Sequence, residues 1–217
     1  MSLTCNCPLD AAIPDIPISA CPSGLGQIQK VVFQRVFKAD GTKNGFVKAS
    51  ADPVDLASWT PLLAAVDATK VVSSPYIQAP TSEAGAPRVH GGGNETLGGV
   101  EIIIGAEPST FSGQIKLAPQ TTIKALKNYM CEAVGVFLID ENGKIGLLAD
   151  DPTTPANYYP IPVHALFVGD KMLGNLEAPD QNMIQWKFLP NWSDNLVIIT
   201  PDDFNALTDL NTPVSES

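Results

Sequence analysis

Four cysteines, two histidines and two Asp-Asp pairs are the residues of this chain whose types could carry chemistry. Cys5 and Cys7, with Cys21 and Cys131, would offer four thiolates to a zinc ion, but structural zinc sites draw on two close pairs and only one pair here is close. Free thiols are the expectation, with zinc or a disulfide as alternatives. His90-Gly91-Gly92-Gly93 looks like the oxyanion segment of some esterases, yet the chain has no Gly-x-Ser-x-Gly elbow, so a glycine loop is expected. His164 lies between Val163 and Ala165 in a strand-like run, and no acid pattern completes a triad with it. Asp140-x-Asn142-Gly143 shares residue types with a calcium loop, but its glycine is at the fourth position rather than the sixth and no Glu closes it, which favours a hairpin turn. Asp150-Asp151 and Asp202-Asp203 read as caps and turns rather than a general acid and base. Trp186, Phe188, Trp192 and Phe204 are spaced as core and turn packing more than as a ligand platform. The sequons Asn94-Glu95-Thr96 and Asn191-Trp192-Ser193 are taken as chance matches. No enzyme, cofactor or metal is expected.

The elements that would position these residues are mostly strands. A stretch over 97–149 reads as strand, turn, strand, helix, strand, turn, strand. Gly99 to Ile104 is a short β-branched run, and Gly105-Ala106-Glu107-Pro108-Ser109 is turn chemistry. Over 110–117, Phe111, Gly113, Ile115 and Leu117 alternate with Thr110, Ser112, Gln114 and Lys116, the period of a half-buried strand. This pair is expected to form a hairpin over 99–117. Pro119 opens a helix over 119–133, with Ile123, Leu126, Lys127 and Met130 at helical spacing. Val136 to Ile139 and Lys144 to Leu148, joined through Asn142-Gly143, form the strongest hairpin signal in the chain.

Further strands are expected over 28–37, 70–74, 163–168, 183–189 and 196–199. Short helical turns are expected from Asp52-Pro53, Thr60-Pro61 and Thr200-Pro201, each a cap followed by proline. Residues 75–99 are rich in Pro, Gly, Ser, Thr and Ala, a length uncommon for a structureless loop, and are expected to be ordered by a partner, with disorder as the alternative. About eight strands against one long helix indicate a mainly β protein, a β-sandwich or barrel with one packed helix. The organisation is an N-terminal arm over 1–26, one β-rich domain over 27–204 containing the loop 75–98, and a C-terminal tail over 205–217.

Composition narrows the function. The net charge is −10, which argues against a nucleic-acid groove reader and against an anionic membrane surface. From Asp150 onward ten acidic residues face only Lys171 and Lys187, whereas residues 1–50 hold five basic and three acidic residues. Charged residues make up 17%, few enough to suggest a surface covered by partners. No apolar run is long enough for a membrane span, and the N-terminus lacks the basic start and apolar core of a signal peptide. A cytoplasmic origin is expected.

A low-charge, acidic, β-rich chain with arms and a long loop suits self-assembly. Its segments Cys21-Pro22-Ser23-Gly24-Leu25-Gly26-Gln27-Ile28, Gly91-Gly92-Gly93-Asn94-Glu95-Thr96, Tyr159-Pro160-Ile161-Pro162 and Gln185-Trp186-Lys187-Phe188-Leu189-Pro190-Asn191-Trp192-Ser193-Asp194 resemble those of phage virion structural proteins, most closely tail tube proteins of tailed bacteriophages. The resemblance implies a subunit of stacked, typically hexameric rings in the virion tail, assembled in the host cytoplasm. Its partners would be copies of itself and other tail proteins, with DNA as non-specific cargo in an acidic lumen. It suggests Glu101, Gln114 and Lys116 as lumen-facing residues, although Lys116 departs from an acidic lining. Tyr76, Ile77, Arg88, Val89 and His90 fall in the candidate inter-ring loop, and both chain ends are candidate neighbour contacts. The alternatives are a head-decoration or neck protein, and a carbohydrate-binding surface module using the Trp and Tyr residues.

Overall fold

Strand β8 (Val134–Asp140) is buried along its whole length, because its sequence Val-Gly-Val-Phe-Leu-Ile-Asp is apolar on both faces of the pleat. The computed structural model, which describes Ile16 and residues 24–211, is built around it. Two compact units are present: Leu25–Gly85 with Pro108–Ser217, and a smaller one of Met1–Gly24 with Ala86–Glu107. Cys5, Cys7, Cys21 and most of the expected N-terminal arm lie outside the described residues, as does the end of the expected tail.

In the larger unit, β1 (Ile28–Arg35) runs antiparallel along one edge of β8, from Arg35 opposite Val134 to Lys30 opposite Ile139. The other edge of β8 is shared. Near its start it pairs with β11 (Ile161–Val168) through Gly135 and Val136; near its end it pairs with β9 (Ile145–Ala149) through Leu138 and Ile139. The sheet therefore forks. One branch continues from β11 to β12 (Gln181–Phe188), β7 (Thr110–Lys116) and β4 (Gln78–Glu83). The other carries β10 (Asn157–Tyr159), β2 (Phe46–Val47) and β13 (Leu196–Ile199) around β9. The short β3 (Val71–Ser73) flanks β1. All of these pairings are antiparallel.

The fork creates two cores. Val136 and Leu138 of β8, with Val31 and Phe33 of β1, face Phe111, Ile115, Ile184 and Trp186, and helix α2 (Gln120–Asn128) covers them with Ile123 and Leu126. The alternate residues Phe137 and Ile139, with Val32, face Phe46, Ile145, Leu147 and Trp59 of helix α1 (Leu56–Ala64). The Trp59 ring packs 4.7 Å from Phe46 and 5.1 Å from Phe137, and its indole N–H donates to the Pro53 carbonyl. Each such fully buried side chain stabilises by about 1.5–3 kcal/mol. Ile77, just before β4, closes the first branch back onto β1: its side chain joins the first core and its N–H donates to the Gln29 carbonyl at 2.7 Å.

The mainly β class with a helix packed on the sheet is as expected, as are the β8–β9 hairpin and the shared buried face of Ile184, Trp186 and Phe188 in β12. At the hairpin turn the Asp140 carboxylate accepts from the N–H groups of Asn142 and Lys144, and Gly143 takes φ +76°.

Several expectations are corrected. Residues 99–117 are not one hairpin, because β7 pairs with β12 and β4. Alternation fails at Leu117, where φ +54° turns the side chain outward to 72% exposure. Residues 75–99 are not structureless, since they hold β4 and, in the smaller unit, β5 (Pro87–Gly91). The two helical turns expected over 52–66 are one helix, with Pro61 inside it. Its first N–H, at Leu56, bonds the Asp203 carboxylate from the distant Thr200–Phe204 segment, which bends instead of starting a helix. The described start of the tail is not a free arm: Ala206 and Leu210 are buried in the second core.

Candidate assembly surfaces

The smaller unit is an antiparallel hairpin of β5 with β6 (Glu101–Ala106). It exposes apolar side chains on both faces. Ile103 stands beside Val89, and Ile102 and Ile104 point the opposite way, with His90 beside Ile102. Ile103 is 70% exposed, and Val89, Val100 and Ile104 are exposed too. Such a ribbon buries too little surface to be stable alone in water, and a contiguous exposed apolar patch marks an interaction surface.

The hairpin tip has a built shape. Thr96 Oγ1 accepts from the Gly92 N–H at 3.2 Å and donates to the Val100 carbonyl at 2.6 Å, and the Gly99 N–H returns to the Thr96 carbonyl. Gly91, Gly92, Gly93, Gly98 and Gly99 all take positive φ, which side-chain-bearing residues resist. A Cβ on Gly91 would stand 2.1 Å from Thr96 Cγ2, so the glycine run is needed for close approach as well as for φ. The result holds Leu97 at the tip fully exposed, 100%. At the base, the Glu107 N–H donates to the Ala86 carbonyl at 2.8 Å.

A second surface is the outward face of β4, β7, β12 and β11 in the larger unit. Cross-strand registers lay it out in rows: Lys116 with Gln181; Gln78, Gln114 and Met183; Thr81, Ser112, Gln185 and Phe167; Glu83, Thr110, Lys187 and His164. It is rich in amides and hydroxyls, with Thr81 and Ser112 hydrogen-bonded to each other at 2.7 Å. Its two borders are open ladders among the described residues. β4 pairs only with β7, and β11 meets β8 only at Ile161 and Pro162. Both borders are interrupted: β4 by Pro80 and a bulge at Ala79 (φ +48°), β11 by a bulge at Ala165 (φ +51°). Bulges and proline are the devices that discourage indiscriminate edge pairing.

The candidate residues fall as follows. Gln114 and Lys116 share the polar face of β7, whereas Glu101 belongs to the hairpin strand β6, paired with Gly91. Arg88, Val89 and His90 are exposed on β5. Ile77 is not a loop contact: it is 3% exposed and part of the first core. Tyr76 is half exposed, with the Lys30 ammonium 4.6 Å above its ring. That ammonium also donates to the Leu207 carbonyl (2.8 Å) and the Asn211 amide oxygen (2.6 Å), and burial holds its pKa below the usual lysine value. The acid of the C-terminal part is elsewhere than on the polar sheet face, which carries Glu83, Lys116 and Lys187. Asp150 and Asp151 instead organise a loop, Asp150 accepting from the N–H groups of Asp151, Ala156 and Asn157 and from the Asn157 amide. These bonds hold the Asp150 carboxyl at about 2, and bonds from Thr153 and Thr154 do the same for Asp151.

Sequence reading missed Gln78, Thr81 and Glu83 because β4 is masked by Pro80 within a Pro/Gly-rich stretch. It missed the two-faced hairpin because Pro87–Gly91 has no period-2 hydrophobic pattern.

Among the described residues no cluster of three or more His, Cys, Asp or Glu forms a metal cage, and no helix is long and apolar enough to cross a membrane. No family model matches the chain, and no curated protein matches it. Among solved structures, it is similar to a chain of the virion of a native gene transfer agent particle, at 12% identity and a TM-score of 0.33, with 57% of this chain and 85% of that chain covered.

Proposed function

We propose that this protein is a virion structural subunit that assembles with copies of itself into the rings of a phage tail tube. The observation that carries the reading is the β5–β6 hairpin. Its apolar residues on opposite faces call for cover on both, and a neighbouring copy supplies that cover without any second gene product. Proteins that stay monomeric rarely carry such an element. The sequence resemblance to tail tube proteins gives the assembly its form.

In this reading the hairpin, with Arg88, Val89 and His90 on β5, reaches a neighbouring subunit or ring. The open border of β4 pairs with the β11 border of the next copy, a head-to-tail contact that closes into a ring. The polar face then lines the lumen, with Gln114 and Lys116 among its residues. A wall of amides and hydroxyls with one carboxylate and two ammonium groups offers DNA few fixed cations, so release of condensed counterions is small and the duplex slides. The lumen is then nearly neutral on this face rather than acidic. Glu101 lies on the hairpin and moves from the lumen set to the contact set.

The test is assembly of the full chain at rising concentration, followed by light scattering and negative-stain microscopy. Rings or tubes with a central hole are expected from the wild type, and monomers from Ile103→Lys, which leaves the larger unit's tryptophan emission unchanged. Assembly of Ile103→Lys at the wild-type concentration would refute the role of the hairpin. A trimer that binds capsids would replace the tube with a head-decoration role.

A further inference from the structure

Where β9 and β11 diverge from β8, the larger unit carries a groove that neither surface above includes. It consists of two adjoining clefts, of about 370 and 390 Å³, that share Leu148, Pro162 and Asn195. Each is of the size that takes a small molecule. Tyr159 lines the first and Trp192 the second. Trp192 stacks on the buried Phe188, ring centres 4.3 Å apart, so one face of the indole is used by the core and the other is left to the cleft it lines. The turn that carries this ring is fixed by backbone bonds, from the N–H groups of Trp192, Asp194 and Leu196 to the carbonyls of Leu189, Asn191 and Ser193. The indole is therefore presented in one orientation before any ligand arrives.

Planar polar side chains stand beside the rings. Among the described residues, the side-chain amides of Asn191 and Asn195 and the Asp194 carboxylate make no hydrogen bond within the chain. Asn44, in the wall of the Tyr159 cleft, donates to the Arg35 and Ala68 carbonyls, but its own amide oxygen is enclosed without a donor. The charge of the lining narrows the ligand. Asp150 and Asp194 outnumber Lys43, which disfavours an anion. Asp150 is engaged by its own loop, and the Lys43 ammonium lies 5.4 Å from the centre of the Tyr159 ring, so Asp194 is the carboxylate left free. A cation would use that carboxylate but not the N–H donors of the amides. A sugar uses both, because each hydroxyl donates and accepts, and its ring offers C–H groups to an aromatic face.

We infer that this groove binds a neutral oligosaccharide, one sugar ring lying on Trp192 with its hydroxyls on Asp194 and Asn195, and the chain running on into the Tyr159 cleft. The inference is independent of the assembly reading.

The test is a titration of full-length protein with cellotetraose and maltotetraose, uncharged glucose tetramers of different linkage, following the Trp192 indole N–H resonance. A saturable shift is expected from at least one of them, with the same affinity at about 50 and about 500 mM salt, since no ion pair forms. Asp194→Ala and Asn195→Ala should each weaken it at least about 5-fold. Both side chains are exposed, so the urea midpoint of the variants should match wild type. Glucose alone should bind several-fold more weakly than the tetramer, because it fills one cleft of the two. No shift from either tetramer overturns the inference, as do Asp194→Ala and Asn195→Ala proteins that bind like wild type. Glucose binding as tightly as the tetramer overturns the extended, two-cleft arrangement. A shift from tetralysine that salt abolishes, with none from either sugar, would make the groove a site for cationic peptide and overturn the sugar reading.

Discussion

Gly113 and Ile77 form a pair whose coupling can be worked out from geometry. Gly113 sits mid-strand in β7, facing the first core, and a Cβ placed there would stand 2.3 Å from Ile77 Cγ2. Ordinary carbon contacts lie at about 3.5–4.0 Å, so Gly113→Ala must displace a buried side chain by more than about 1 Å. Overpacking of this kind costs about 1–3 kcal/mol, offset in part by about 0.4–1 kcal/mol from the stiffer unfolded chain. Ile77→Ala should cost about 2–5 kcal/mol from lost burial and the cavity left behind. The double variant should then be less destabilised than the sum by at least about 1 kcal/mol, because the added methyl drops into space the isoleucine vacated. Ile77→Val is the control. It keeps the Cγ2 methyl that causes the clash, so Gly113→Ala should cost as much in its background as in wild type. The assay is urea unfolding followed by tryptophan fluorescence, with Trp59 and Trp186 both fully buried, comparing midpoints at unchanged slope. Additivity of the Gly113→Ala and Ile77→Ala effects within about 0.5 kcal/mol would refute the claim that Ile77 anchors β4 through this contact.

Lys30→Met should cost about 2–3 kcal/mol, since it strands the Leu207 carbonyl and the Asn211 amide oxygen; hydrogen exchange should accelerate over residues 205–211 before global unfolding, and unchanged protection there would show that these two bonds do not hold the segment. Asp150 has a folded-state pKa of about 2 against an ordinary 3.8, so its stabilisation is full above the ordinary value and is lost as pH falls toward about 2. Asp150→Asn should flatten the fall in melting temperature across that window, and an unchanged acid profile would count against it. Thr96→Val removes both bonds of the hairpin tip at constant shape; proteolysis between Gly92 and Val100 should rise several-fold while the unfolding midpoint of the larger unit stays put.

Elements defined by local patterns were legible in the sequence. The Asn142-Gly143 turn, the alternating Ile184, Trp186 and Phe188 of β12, and the helical spacing of Ile123 and Leu126 each depend on neighbours within a few residues. Pairing partners were not legible, because a strand's sequence says which face is buried and not which strand lies beside it. Gly105 to Ser109 has turn chemistry and does turn, yet β6 and β7 do not pair. Leu117 kept the phase of its strand in sequence and lost it to a positive φ. Ala206 and Leu210 were hidden in a stretch whose other residues are mostly polar. The alternation of β7 put Gln114 and Lys116 on one face, as found, while a lumen position for them is a proposal; Ile77 was misplaced because prolines on both sides made its segment look like open loop.

The double burial of β8 has a consequence for the proposed assembly. Val136 and Leu138 serve one core and Phe137 the other, so neither core can come apart as a whole while the other keeps an intact central strand. Unfolding is therefore all-or-none, and calorimetric and van't Hoff enthalpies should agree for this unit. Half-folded chains that present one sheet border but lack the other are scarce at equilibrium. In the proposed assembly, a growing polymer would then be offered only subunits able to pass the chain of contacts onward, and defective ones that would terminate it would be removed by the cooperativity of the fold itself.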